Sequence, residues 1–408
     1  MSGNFLLLTV LLGYIVVGRF VISHMSGVPR DALFALLNVV GLYLIFFYSN
    51  DQMLSNHVFT RMFPVYLVLI MAQYATMRLF AHKQGRLPWI AFFTPLVALI
   101  VVRYGTSSFF ESLKLPYPIT PYFIGISYLA FRCSRLVLEV RNGVVKTPGF
   151  LRYASFCLFV PTMSVGPINS YSNFQRAFEG ERPDFPAGRA ALRTLVGVIK
   201  YRFFGSILFQ LTYASLLRDD HYHHWIDLLV AMLSYYLFLY CNFSGFCDMA
   251  IGAAGLIGIP VLENFADPFG ARNVKVFWNR WHITLSQYFR DVVFAPLSKY
   301  FVTLLGPLRI NHAIALTIVV VFLLIGIWHG VGWNYAAFGA AHALGLVVNH
   351  YYTIGLKKSL GAAGFKAYNS NSWIHAAAVA ATFCYCAATL FLFANTFPEM
   401  KEILSTIR

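Results

Sequence analysis

An imidazole in an uncharged apolar stretch is the first feature of this sequence that points to chemistry. From Ala313 to Val348 there is no Lys, Arg, Asp or Glu, and His329 and His342 are the only strongly titratable side chains there. An ionisable group at membrane depth is functional by default. Burial disfavours imidazolium, and a neutral ring is what a general base requires. The competing reading is a histidine hydrogen-bonded inside a helix bundle. His329 stands in Ile327-Trp328-His329-Gly330-Val331-Gly332-Trp333-Asn334. The two glycines end or break a helix, which sets the histidine beside irregular backbone. Such backbone is tolerated within a membrane only when buried in protein or lining a cavity.

A second polar feature lies upstream. Residues Asn273–Tyr300 are aromatic and amphipathic rather than apolar. On a continuous helix, Phe277, Trp281, Leu285, Phe289 and Val292 form one stripe, and Asn279, His282, Ser286 and Arg290 form a second. Such a helix either lies in the cytosolic interface with its polar stripe wet, or turns that stripe towards a site. The run His221-Tyr222-His223-His224 lacks paired thiolates or clustered carboxylates, so no metal site is expected. The remaining histidines fall at predicted loops or span ends, His350 among them.

The elements that must position these groups are membrane spans. The chain is 58% hydrophobic and 12% charged, about half the charge of a soluble domain. Candidate spans are 4–22, 33–48, 63–80, 89–102, 122–138, 153–165, 203–217, 226–243, 249–261, 313–328, 334–350 and 373–397, roughly a dozen, several short enough to be tilted or re-entrant. The apolar run 5–17 lacks a preceding basic residue and a clear cleavage site, so it reads as a retained span rather than a signal peptide. The expected fold class is therefore all-α and polytopic, one membrane-embedded domain over 1–408. Basic loops near Arg19 and Arg30, Lys83 and Arg86, and Arg132 to Arg152 are expected in the cytosol. The net charge of +15 is scattered between apolar runs, which argues against nucleic acid. The six cysteines lie in or beside apolar runs and read as small buried hydrophobes.

Several motifs then resemble one family. Phe277-Trp278-Asn279-Arg280-Trp281-His282 with Ser286 and Phe289-Arg290-Asp291, and Trp328-His329-Gly330 downstream, resemble the signature of the membrane-bound O-acyltransferases. The spacing of 329 − 282 = 47 residues is similar to that of the bacterial branch. Residues 242–252 resemble alginate O-acetyltransferases, whereas 125–132 and 161–168 resemble the D-alanyl transfer proteins of teichoic acid modification. Asn242 and Asn169 depart from the latter, which usually carry acidic residues there. The resemblance covers roughly 121–349.

The resemblance implies helices ringed around a thin central pore in a bacterial plasma (inner) membrane. It implies a thioester donor, on a phosphopantetheinyl carrier protein or coenzyme A, with no tightly bound cofactor and no metal. The acceptor would be a hydroxyl of an extracytoplasmic envelope polymer or a serine of a periplasmic or extracellular partner acyltransferase. His329 is then the general base, and His282 polarises the carbonyl, holds the oxyanion or orients His329. Asn279, Trp278, Trp281, Ser286, Trp328 and Asn334 would line the tunnel, the tryptophans excluding water. Val293, Phe294 and Leu297, with Lys275 and Lys299, form a candidate dock for an acidic carrier. A transporter or channel for an acyl or lipid species, with the chemistry left to a partner, is the alternative class.

Overall fold

The computed structural model describes residues 2–54, 57–105, 107–112, 123–180, 186–218 and 221–408. Helix dominates, and the β pairing among the described residues is confined to isolated bridges. Seven described helices are long and apolar enough to cross a bilayer, and Pro88–Tyr104 is a shorter, largely apolar helix. Several of the expected spans change form. Residues 226–243 and 249–261 are one 33-residue helix, Trp225–Ile257. The expected 334–350 span is the start of Trp333–Ser370, which carries a kink at Gly361 (φ 64°). Apolar stretches with no proline between them give no signal of where a helix stops. The first residue of the 122–138 span and the start of the motif region at 121 lie outside the described residues.

The chain divides into two compact units, residues 1–197 with 246–262, and residues 198–245 with 263–408. The first is held by polar groups that close helix ends away from water. Asn38 accepts from the Tyr14 hydroxyl at 2.8 Å and from the Val160 amide at 3.2 Å, and donates to the Phe34 carbonyl at 2.7 Å. Asp51, almost fully buried, accepts the amides of Phe59 (2.9 Å) and Thr60 (2.7 Å), two orphan donors at the start of helix Val58–Phe80.

Arg132 does the largest share of this work. It is 1% exposed and donates to the Phe156 carbonyl (3.2 Å), the Thr162 carbonyl (3.1 Å) and the Thr162 hydroxyl (3.2 Å). These acceptors sit where helix Phe150–Cys157 gives way to irregular backbone around a single 3₁₀ turn at Val160–Thr162. The segments 125–132 and 161–168, far apart in sequence, are thereby one structural device. Gly125 (φ 69°) completes it, because a Cβ there would collide with the Met163 carbonyl.

Arg132→Met leaves two buried carbonyls without donors, at roughly 1–3 kcal/mol each. The purified variant is expected to melt several degrees below wild type in detergent, with Arg132→Lys recovering only part of the loss. An unchanged melting temperature for Arg132→Met would show that these bonds do not hold the segment.

Candidate active site

The second unit contains both histidines of interest. The expected continuous helix over 273–300 breaks in the middle. Helix Val274–Arg280 stops at Trp281, which is extended (φ −110°, ψ 128°), and His282 is left-handed (φ 45°, ψ 52°) before helix Ile283–Phe289 begins. A left-handed non-glycine residue costs about 1–3 kcal/mol unless its surroundings hold it. Here the surroundings do so. Segment 264–266 pairs with 280–283 through Ala266 N–H to the Arg280 carbonyl and Ile283 N–H to the Asn264 carbonyl, both 3.0 Å. The Asn264 side chain closes the break: its Oδ1 accepts from the Thr284 amide (3.2 Å), the Thr284 hydroxyl (2.9 Å) and His282 Nδ1 (3.2 Å).

His282 is 3% exposed and packs against Phe243 at 4.7 Å between ring centroids. Burial, followed by the charge of His329, pushes its pKa down to about 3, so the ring is neutral. His329 ends helix Ile310–His329, and Gly330 continues in extended conformation. Gly330 is required for space, because a Cβ would collide with the Tyr335 ring. The half-buried His329 ring is held by Trp328 (4.6 Å) and Phe393 (5.1 Å). The Trp328 indole also neighbours the His282 ring, at 6.3 Å.

A cavity of about 700 Å³ leads towards these rings, within the range of small-molecule sites. One wall is a stripe of helix Ile310–His329, from Ile314 through Ile318, Val321 and Phe322 to Ile325, a run of about 16 Å at 1.5 Å per residue. The next residue on that face, one turn on, is His329. The opposite wall includes Trp278, Asn279, Ser286, Phe289 and Phe294, and Ser286 is one turn from His282, whose carbonyl accepts its amide at 3.1 Å. The lining thus reaches within one turn of each histidine. Arg272, Lys275, Arg290 and Lys357 also line it, making it basic as well as apolar.

His342 has a different role. The Trp278 indole N–H donates to His342 Nδ1 at 3.2 Å, and an indole nitrogen can only donate. The His342 proton is therefore on Nε2, given to the Thr389 hydroxyl at 3.0 Å, which donates in turn to the Cys386 carbonyl at 2.9 Å. Both ring nitrogens are satisfied, and the chain fixes Trp278 against the cavity.

The sequence profile of the MBOAT, membrane-bound O-acyltransferase family matches residues 32–371. The chain belongs to the membrane-bound O-acyltransferase family. It is similar to the teichoic acid D-alanyltransferase of Bacillus subtilis, 28% identical over 399 residues, which are 95% of this chain and 96% of the relative. The corresponding Streptococcus thermophilus protein is 31% identical over 277 residues, 64% of this chain and 65% of that protein. A Helicobacter pylori peptidoglycan O-acetyltransferase is 30% identical over 226 residues, 51% of this chain and 39% of that protein. The protein is thus an acyltransferase and, like its bacterial relatives, a multi-pass membrane protein.

In this acyltransferase the residues singled out by sequence are placed unequally. Trp278, Asn279, Ser286, Phe294 and Lys275 line the cavity. Trp281 does not; it is buried in an aromatic cluster with Phe265, Phe277 and Tyr236, because the chain break turns it away. Asn334 is also off the cavity lining, buried and donating to the Leu392 carbonyl at 3.2 Å. Val293 and Leu297 are half-buried beside the cavity residues, and Lys299 is exposed. His350, expected at a span end, sits inside helix Trp333–Ser370 and lines the cavity. Cys384 is exposed, unlike the other cysteines. Asn264, Thr389 and Lys357 had no local signal, since each acts through a contact made only by folding.

The backbone approach that aims His329 rests on two glycines. A Cβ on Gly339 would collide with the Phe322 carbonyl, and one on Gly326 with the Tyr335 carbonyl; small residues permit such close helix packing in membranes. Gly339→Ala is expected to lower the melting temperature and cut acyl transfer at least tenfold. Gly355→Ala, on the same helix with nothing within 4 Å, should leave both unchanged. Equal behaviour of the two variants would dissociate this packing from the placement of His329.

Proposed function

We propose that this acyltransferase moves an acyl group from a cytosolic thioester to a hydroxyl of an extracytoplasmic cell-envelope polymer, directly or through a partner's serine. The observation that carries the reading is the basic, apolar-walled cavity whose lining stops one helical turn short of two histidines. The prosthetic arm of a phosphopantetheinyl carrier, or of coenzyme A, combines a phosphate with a long thioester-bearing chain. Arg272, Lys275, Arg290 and Lys357 suit the phosphate, and the Ile314–Ile325 face suits the chain. An excess of basic residues marks the cytosolic side of a membrane protein, which assigns the donor to the cytosol.

In this reading His329 takes the proton of the acceptor hydroxyl as its oxygen attacks the thioester carbonyl. The carbon–sulfur bond then breaks, and the thiolate leaves with the proton returned from His329. The position at a helix C-terminus favours the positive charge that the base acquires. The D-alanyl group is the favoured cargo, because similarity to the Bacillus subtilis D-alanyltransferase extends over nearly the whole of both chains. Acetyl is the second reading, on the similarity to the Helicobacter pylori O-acetyltransferase.

His329→Ala in proteoliposomes supplied with a labelled thioester is expected to lose about 10²–10⁴-fold in rate. A rate within a few-fold of wild type would remove the general-base role. Running D-alanyl and acetyl thioesters side by side, with mass spectrometry of envelope polymers from cells with and without the protein, identifies cargo and acceptor.

The basic lining makes a separate claim. Lys275→Glu combined with Lys357→Glu should raise the donor KM at least tenfold at low salt, the difference from wild type shrinking as salt screens the site. A donor KM indifferent to both charge and salt would detach the donor from this cavity.

A further inference from the structure

The hydrogen bonds around the break at residue 282 determine where the protons are. Three groups converge on Asn264 Oδ1, and one of them, the Thr284 backbone N–H, can only donate. The amide atom facing them is therefore the oxygen, which can only accept. The Thr284 hydroxyl donates to the same atom at 2.9 Å. His282 Nδ1, at 3.2 Å, must then carry a hydrogen, since a bare Nδ1 would set two lone pairs against each other. In the neutral ring the second nitrogen, Nε2, carries none. Nε2 is buried and has no hydrogen-bond partner among the described residues.

We propose that Asn264 is a positioning residue for acyl transfer: it locks His282 in the tautomer that presents a lone pair at Nε2. This rests on the acyl-transfer reading of the site, within which it assigns His282 a direction. A ring in this tautomer accepts a hydrogen bond and has no N–H to offer a developing oxyanion. His282 therefore meets an N–H or O–H at the reaction centre, and the oxyanion is stabilised by other donors. Trp328 flanks both this ring and that of His329. A second copy of this arrangement, with opposite sense, occurs in the same unit: Trp278 as a pure donor forces the proton of His342 onto Nε2. Each histidine is thus set by one partner of fixed polarity.

Two measurements test the assignment. Nitrogen NMR of the full-length protein with ¹⁵N-histidine, the His282 signals assigned by difference from His282→Gln, should show Nδ1 protonated and Nε2 bare in wild type and in Asn264→Asp. The Asn264→Leu variant should lose this preference. This readout needs no donor or acceptor, so it stands or falls apart from the acyl-transfer reading, which fails if wild type transfers no acyl group. In kinetics, Asn264→Leu should lower kcat at least tenfold with both KM values within threefold of wild type, and Asn264→Asp should recover kcat to within a few-fold. In a His282→Ala background the leucine change should cost less than threefold, since a residue acting through His282 has nothing left to position. The proposal is overturned by a wild-type His282 protonated at Nε2, by an aspartate variant as impaired as the leucine variant, or by losses that add in full without His282. Where the leucine variant fails to fold, the wild-type and aspartate measurements still decide.

Discussion

Buried backbone that leaves the helix has no water to bond with, and each amide or carbonyl set free there needs a partner built into the chain. The consequential residues of this acyltransferase are those partners. Arg132 serves the carbonyls around Val160–Thr162, Asp51 the amides at the start of Val58–Phe80, and Asn264 the break between Trp281 and Thr284. The last case connects architecture with chemistry, because the residue at the break is a histidine. Its left-handed conformation ends one short helix, begins the next, and delivers the ring into a dry, aromatic environment. An unbroken helix, as the periodicity of 273–300 suggests, would have left the ring on a polar stripe beside Ser286.

The same constraint separates His282, His329 and His342. His342, in an uncharged stretch like His329, has both ring nitrogens engaged and serves to hold Trp278. His329 occupies a helix terminus where the chain turns extended at Gly330. His282 has one nitrogen committed to Asn264 and the other bare. Burial in an uncharged segment therefore does not by itself identify a reacting imidazole. His342 and His282 differ in that both ring nitrogens of the first have partners, whereas Nε2 of the second has none among the described residues.

Much of this was legible in the sequence, and the limits have physical causes. Composition identified a membrane protein, and the spacing of His282 and His329 with their aromatic neighbours identified the family, because the motif residues sit at breaks where few side chains fit. Glycines after His329 located the helix end, although Gly330 proves to be needed for room beside the Tyr335 ring rather than for its backbone angles. The polar stripe was half right: Asn279, Ser286 and Arg290 do share a cavity, while His282 leaves it. Periodicity assumes an unbroken helix and carries no signal for a single left-handed residue. Asn264, eighteen residues before His282, was invisible for a related reason, since its significance lies in a pairing between segments 264–266 and 280–283 that no local pattern announces.

The arrangement of the two imidazoles also bears on how a proton can move. Two rings near enough for the charge of one to act on the other resist being protonated together. His282, dry and held neutral, is the poorer place for a proton, and its Nδ1 is already committed to an amide oxygen that cannot accept one. In the proposed reaction, a proton drawn from the acceptor hydroxyl therefore goes to the ring at the helix terminus. The same proposal returns it to the sulfur as the thioester opens. The neutral amide of Asn264 suits the proposed assignment of the proton to His329, one helical turn beyond the cavity lining.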